Sequence, residues 1–169
     1  MRNRQILKRQ QENHQNTLAL IQDLKGRFLI EKILDDGNCF LHSVLKALNS
    51  ESENYMDLRN AECCFLIENI DFFAGEAYSR NEIIDYARDQ MQDKKWASNL
   101  IIYSVALLLN ITIEIYIPGC LRPIITNDGQ LTKIFLLNSN NNHFEVLRPI
   151  ETERKINNEF KIENDKLIN

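Results

Sequence analysis

The chain has 169 residues and a mass of 19.8 kDa, a size that fits one domain with short extensions. Hydrophobic residues make up 44% and charged residues 26%, a balance that supports a buried core and excludes a disordered chain. The 20 basic residues are outnumbered by 24 acidic ones, and the net charge is -4. We therefore predict no nucleic-acid partner, because such a partner needs a concentrated basic face.

The sequence also predicts no membrane partner. The N-terminus is basic but lacks an apolar core and a small-residue cleavage site, and the apolar run over residues 100–117 is interrupted by Asn110 and Glu114. We expect a monomeric, cytoplasmic protein with free thiols. The composition, rich in Asn, Ile and Lys, is typical of an AT-rich genome such as that of an intracellular bacterium or a large virus. A bacterial source would fit secretion into the host cytosol as an effector.

The N-terminal part of the chain is predicted to be helical. Residues 1–25 form a helical extension in which Leu18, Ile21 and Leu24 recur at helical spacing before the breaker Gly26. Helical patterns follow over residues 39–48, 55–69, 81–92 and 96–109.

Two of these helix starts carry specific predictions. Asn81 is the predicted N-cap of its helix, with the acidic Glu82 in the first turn. Trp96 is predicted to begin the last helix as a core anchor, because the sequence after it is apolar almost all round and therefore buried.

The C-terminal part is predicted to be a sheet. Residues 111–117, Ile-Thr-Ile-Glu-Ile-Tyr-Ile, alternate strictly between Ile and another residue, the clearest strand pattern in the chain. Further strands are predicted over residues 124–126, 133–137 and 143–147, the last of them paired back as a hairpin. Helices first and strands last favour an α+β domain over residues 26–150, with a small, mostly antiparallel sheet flanked by helices. Residues 151–169 are predicted to be a charged tail.

The turn before the first of these helices places a thiol where it can react. Cys39 follows Asp36, Gly37 and Asn38 at a predicted helix start, where unpaired N–H groups favour an anion. We therefore expect the pKa of Cys39 to lie below the free value of about 8.5. The N–H groups of this turn, at Gly37 and Asn38, are predicted to hold an oxyanion.

A thiol nucleophile needs a base, and the base needs a partner that orients it. His143 and Glu145 are two apart in a predicted strand, so they share a face, and Glu145 can accept from one ring nitrogen. His42 is a weaker candidate for the base, because it must fold back toward Cys39, and we expect it to have a structural role. His14 lies in the polar extension.

Three segments resemble the motifs of one enzyme family. Residues 36–44, Asp-Gly-Asn-Cys-Phe-Leu-His-Ser-Val, are similar to the catalytic-cysteine motif of the ovarian-tumour (OTU) family of cysteine proteases. Residues 142–146, Asn-His-Phe-Glu-Val, resemble its histidine motif, and residues 96–116 resemble the Trp-initiated helix and strand between the two. The three segments keep the family's order within residues 28–148.

The resemblance implies a papain-like OTU fold and hydrolysis of isopeptide or peptide bonds after the C-terminal glycine of ubiquitin or polyubiquitin. Carried over by motif, Cys39 is the nucleophile and His143 the base, and Asp36 stands where the family has an Asp that shapes the loop before the cysteine. Glu145 stands where the family usually has Asp or Asn. If the longer side chain cannot retract, Asp36 or an Asn within residues 138–142 takes its place. The family uses no cofactor and no metal.

The resemblance implies that the segment between the Cys helix and the Trp helix binds ubiquitin. Here that segment is residues 50–93, and it is rich in acidic residues that suit the basic tail of ubiquitin. Phe72, Phe73, Trp96 and Asn142 are further candidate substrate contacts. For each of them, a plain structural role in the local core or a surface loop is an equally open interpretation.

Two other functions stay open on the sequence. A ubiquitin-binding pseudo-enzyme of the same fold is one, although such a protein has no need of the thiol. A Cys-His protease or acyltransferase that acts on another ubiquitin-like modifier is the other.

Overall fold

The computed structural model describes residues 2–75, 78–139 and 143–150. The predicted charged tail at residues 151–169 and the predicted substrate contact Asn142 therefore lie outside the described residues. Among the described helices, none combines the length and the apolarity that crossing a membrane requires.

Most of the helices precede most of the strands along the chain. In order they are α1 (Arg2–Leu24), β1 (Phe28–Glu31), α2 (Cys39–Ala47), α3 (Tyr55–Glu68), α4 (Ile70–Phe73), α5 (Arg80–Gln90), α6 (Asn99–Leu108), β2 (Ile111–Tyr116), β3 (Ile124–Thr126), β4 (Thr132–Ser139) and β5 (His143–Pro149). The predicted helical extension is thus a helix, and the predicted order of helices before most strands is confirmed.

The five strands form one sheet in the order β1-β5-β4-β2-β3. The pairs β1–β5, β4–β5 and β2–β3 are antiparallel, and β2–β4 is parallel. The predicted fold class, α+β with a small, mostly antiparallel sheet flanked by helices, is confirmed. The hairpin of β4 and β5 also forms as the sequence predicts.

The sheet separates two apolar clusters. The larger one packs α2, α3, α5 and α6 against one face, where Phe144 and Val146 of β5 are buried. The smaller one gathers Leu24 at the end of α1 with Phe28, Tyr116, Leu137 and Leu147. Since neighbouring strand residues face opposite sides, His143 and Glu145 share the face of Leu147.

Two predicted helix starts are wrong. The N-cap of α5 is Ser79 instead of Asn81, because Ser79 and Glu82 form a reciprocal capping box. The N-cap of α6 is Ser98, whose side chain accepts from the N–H of Leu100, so Trp96 stands before the helix. Trp96 is 60% exposed and is not the core anchor that the apolar pattern predicts.

Candidate active site

Cys39 occupies the first helical position of α2, as the sequence predicts, and its side chain is buried. The Cys39 sulfur, a ring nitrogen of His143 and a carboxylate oxygen of Asp35 lie within 4.8 Å of one another. The fold therefore brings together a thiol and an imidazole that are more than a hundred residues apart in the chain.

The helix that carries Cys39 is fixed to the strand that carries His143. The rings of Phe40 and Phe144, each next to one of the two reactive residues, meet edge to face with centroids 5.2 Å apart. At the other end of α2, Arg148 of β5 donates to the carbonyl oxygens of Lys46 and Ala47 at 2.6 and 3.0 Å. Two contacts at opposite ends of the helix thus set the distance between thiol and imidazole.

His143 lies between two carboxylates. Its Nε2 is 3.9 Å from Oε1 of Glu145, and its Nδ1 is 3.6 Å from Oδ1 of Asp35. Nδ1 is buried and has no hydrogen-bond partner among the described residues. The predicted pair of His143 and Glu145 is therefore brought together on one strand face, at a distance just beyond a direct hydrogen bond. Asp35 was not singled out by the sequence, where it reads as one of several turn formers.

The expected direction of the Cys39 pKa is wrong. Burial raises the pKa of the thiol, and the nearby carboxylates of Asp35 and Asp36 raise it further, while backbone N–H groups of Phe144 and Phe40 lower it. Loss of solvent and two negative charges outweigh the helix N-terminus, and together they favour the neutral form of the thiol. A neutral thiol needs an adjacent base before it can attack, and His143 is in place for that step.

The turn before Cys39 depends on glycine for two reasons. Gly37 has a φ of +85°, a conformation that residues with a side chain rarely adopt. A Cβ at Gly37 would also lie 2.6 Å from the carbonyl oxygen of Lys94. The turn is therefore pressed directly against the backbone of the segment between α5 and α6.

Asn38 links the turn to that same segment. Its backbone N–H donates to Oδ1 of Asp36 at 2.8 Å, and its side-chain amide donates to Asp93 at 2.9 Å. Its Oδ1 accepts from Arg59 at 2.8 Å and from the N–H of Lys94 at 3.1 Å. These groups of Asn38 are engaged within the protein. The oxyanion role predicted for the turn then falls to Gly37 and the first turn of α2, and it stays a prediction.

Arg59 connects the turn to the segment between α5 and α6, a role that the sequence analysis missed. Arg59 is 3% exposed, and its guanidinium donates to the carbonyl oxygens of Gln90 and Lys95, each at 2.9 Å, in addition to Asn38. A signal was present in the sequence, because Arg59 shares a helical face with Cys63 and Leu66, both buried. A charged residue on an apolar helix face predicts a buried polar network.

Asp36 and His42 belong to the same loop. Oδ2 of Asp36 is 3.4 Å from Nε2 of His42, whose ring packs on Tyr55 with centroids 4.5 Å apart. Burial raises the pKa of Asp36, but the hydrogen bonds from Asn38 and the nearby His42 outweigh it, and the net pKa is below its usual value. Asp36 is thus engaged in shaping the loop.

The alternatives to Glu145 have other surroundings. Asp36 contacts His42 and Asn38, and Asn138 pairs with Phe144, which places its side chain on the opposite face of the sheet from Glu145. The other asparagines of that loop, at residues 140–142, lie outside the described residues. Glu145 is therefore the predicted third member for which the geometry gives support.

The predicted substrate contacts are separated in the fold. Trp96 is exposed and follows Lys94, the residue that abuts Gly37, by two positions in the chain. Phe72 is exposed and Phe73 is half-buried in α4. The centroids of their rings lie 6.3 and 6.2 Å from the ring centroid of Tyr103. These two aromatic rings cover α6, and their part in substrate binding stays a prediction.

The three reactive side chains also form a set of metal donors. A carboxylate oxygen, a thiol sulfur and an imidazole nitrogen from Asp35, Cys39 and His143 lie within 4.8 Å of one another. Such a set suits Zn²⁺ chemically. An ion held there would occupy the thiol and the base, and it would block thiol chemistry.

Comparison with known proteins shows the family. The profile of the family described as OTU-like cysteine protease matches residues 35–157, and the chain belongs to this family. No curated protein sequence matches the chain.

Solved structures share the fold. The viral OTU domain protease from Dera Ghazi Khan virus superposes with a TM-score of 0.64 at 24% identity, over 75% of this chain and 84% of that chain. The Hazara virus OTU bound to ubiquitin gives a TM-score of 0.54 at 25% identity, over 75% of this chain and 84% of that chain. An ovarian-tumour domain in complex with ubiquitin gives a TM-score of 0.63 at 20% identity, over 73% of this chain and 71% of that chain.

Proposed function

We propose that this cysteine protease is a deubiquitinase that cleaves isopeptide or peptide bonds after the C-terminal glycine of ubiquitin. The observation that carries the proposal is the approach of the Cys39 sulfur and a His143 ring nitrogen within 4.8 Å at the start of α2. The family supports thiol protease chemistry. The Hazara virus OTU, whose structure holds ubiquitin, supports ubiquitin as the substrate class.

The chemistry follows from the protonation state of the thiol. Because the pKa of Cys39 is raised, His143 first takes the thiol proton as the thiolate attacks the glycine carbonyl carbon. Backbone N–H groups at Gly37 and the first turn of α2 stabilise the oxyanion, an effect worth about 3 kcal/mol per donor. His143 then gives its proton to the departing amine. Water then attacks the thioester carbonyl carbon while His143 takes a proton from it. The C–S bond breaks, and His143 returns this proton to the sulfur, so that Cys39 leaves as the thiol.

Glu145 is the proposed third member of the site. Its carboxylate is buried on the same strand face as His143 and lies 3.9 Å from Nε2. A small movement would close a hydrogen bond that holds the ring with its other nitrogen toward the thiol. Asp36 acts on the loop and does not touch the reacting atoms.

Ubiquitin is the proposed partner of the segment 50–93 and of the exposed ring of Trp96. Along α3 and α5 in that segment, the exposed acidic side chains outnumber the exposed basic ones, and this charge favours the basic tail of ubiquitin. The acids are Asp57 and Glu68 of α3 and Glu82, Asp85 and Asp89 of α5. The catalytic unit is proposed to be residues 26–150, working as a monomer without nucleic acid, membrane or cofactor.

The test is a ubiquitin probe with a C-terminal electrophile. We expect covalent capture by the wild type and by His42→Ala, and its loss in Cys39→Ala and His143→Ala. Cys64→Ala is the matched control for unspecific labelling, because Cys64 is an exposed thiol on a different helix, α3. Binding without capture would mean a pseudo-enzyme, and capture only by probes of another ubiquitin-like modifier would mean a different substrate. Either result contradicts the proposal.

A further inference from the structure

The carboxylate of Glu145 has a second neighbour besides His143. Nζ of Lys32 lies 2.5 Å from Oε1 of Glu145, the same oxygen that is 3.9 Å from His143 Nε2. Glu145 is 2% exposed, whereas the side chain of Lys32 is 78% exposed. A buried acid and a surface cation therefore share one contact at the edge of the site.

The register of the sheet explains this contact. β1 pairs with β5 so that Glu31 lies opposite Val146. The next position along the same register puts Lys32, just after β1, opposite Glu145. Residues directly opposite each other in an antiparallel pair point to the same face. The contact is thus built into the pairing of two strands that are more than a hundred residues apart in sequence.

The contact between Lys32 and Glu145 offsets the cost of burying the carboxylate. A buried carboxylate is costly unless a cation or several hydrogen bonds accompany it. Within the described residues, Lys32 is the cation paired with Glu145, and the other neighbour is the imidazole that must become positive during catalysis.

We infer that Lys32 is a positioning residue, which holds the carboxylate of Glu145 directed at His143 by a cross-strand ion pair. This inference rests on the proposed roles of His143 and Glu145. It also explains how a glutamate serves where the family usually has a shorter acid or amide. The ammonium group fixes the end of the longer side chain, which would otherwise have more rotamers to choose from.

The first experiment compares steady-state kinetics on ubiquitin with a fluorogenic C-terminal amide. We expect Lys32→Met to lower kcat about tenfold with KM unchanged, and Lys32→Arg to keep most of the activity. Lys133→Met is the matched control, because Lys133 makes a comparable ion pair with Glu114 at 3.5 Å on another strand pair. That control should match the wild type.

A double-mutant cycle separates the mechanism from a general loss of structure. In a Glu145→Gln background there is no ion pair left to break, so adding Lys32→Met should change kcat by less than about twofold. An equal loss in both backgrounds would overturn the inference. An increase of kcat in Lys32→Met would also overturn it, because the lysine would then be drawing Glu145 away from His143.

A second readout needs no substrate, and it separates this inference from the proposed function. The rate at which iodoacetamide alkylates Cys39, followed by mass spectrometry of its peptide, reports how readily His143 takes the thiol proton. We expect Lys32→Met to slow this alkylation and Lys32→Arg to leave it close to the wild type. An unchanged or faster rate refutes the inference. If the wild type hydrolyses no ubiquitin substrate, the proposed function fails while the alkylation rates still decide the role of Lys32.

Discussion

Replacing Gly37 by alanine tests whether the turn before Cys39 is held by close contact with the segment between α5 and α6. The new Cβ would lie 2.6 Å from the carbonyl oxygen of Lys94, and relieving this to the 3.4 Å of ordinary contact needs a shift of about 0.8 Å. The positive φ adds about 1–2 kcal/mol of backbone strain, and overpacking adds about 1–3 kcal/mol. We expect Gly37→Ala to lose about 2–5 kcal/mol of unfolding free energy and most of kcat.

Gly129 provides the matched control for this prediction. Its φ is +87°, nearly that of Gly37, but a Cβ there would meet nothing within 4 Å. Gly129→Ala therefore carries the backbone strain without the steric overlap. Urea unfolding should show a loss of about 1–2 kcal/mol for this variant, and kcat on a ubiquitin substrate should stay close to the wild type. Equal stability losses and equal kcat for the two variants would refute the role given to the Lys94 contact.

Two further predictions concern buried charged groups on α3. Burial raises the pKa of Glu62 to about 7, so the folded state holds this proton more tightly than the unfolded state does. Its contribution to stability is therefore complete below the unfolded value near 4.5 and is lost as the pH rises through about 7, in total about 3 kcal/mol. Urea unfolding of Glu62→Gln at about pH 5 and about pH 8 should show less of this decline than the wild type, and an identical decline would contradict the prediction. Arg59→Lys should cost about 2–3 kcal/mol and lower kcat, because an ammonium cannot reach the three acceptors of the guanidinium, whereas the exposed Arg88→Lys should change neither. Wild-type kinetics in Arg59→Lys would show that the hydrogen bonds of Arg59 do not position the turn.

The reactive pair combines a buried thiol, whose pKa is raised, with an imidazole that lies between two carboxylates. Asp35 raises the pKa of Cys39 and lies 3.6 Å from Nδ1 of His143, so it opposes ionisation of the thiol on one side of the ring. Glu145 lies on the other side of the ring, 3.9 Å from Nε2. The two acids therefore contact opposite sides of the ring, and the partner of Glu145 matters because it fixes one of these contacts.

Local patterns in the sequence determined much of the fold and the site. Turn formers before Cys39 fixed the start of α2, and strict alternation over residues 111–117 fixed β2. The two-residue spacing of His143 and Glu145 was enough to place them on one strand face, because the strand period is set by the backbone alone. The family motifs predicted that Cys39 and His143 would meet.

The tertiary structure decided what those patterns could not. It buried Cys39 beside Asp35 and so reversed the expected direction of its pKa, and it brought Arg59 from α3 onto the reactive turn. It also set the register that places Lys32 opposite Glu145. Solvent exclusion and pairs between distant residues depend on how the elements pack, whereas a sequence pattern records only what each segment favours by itself.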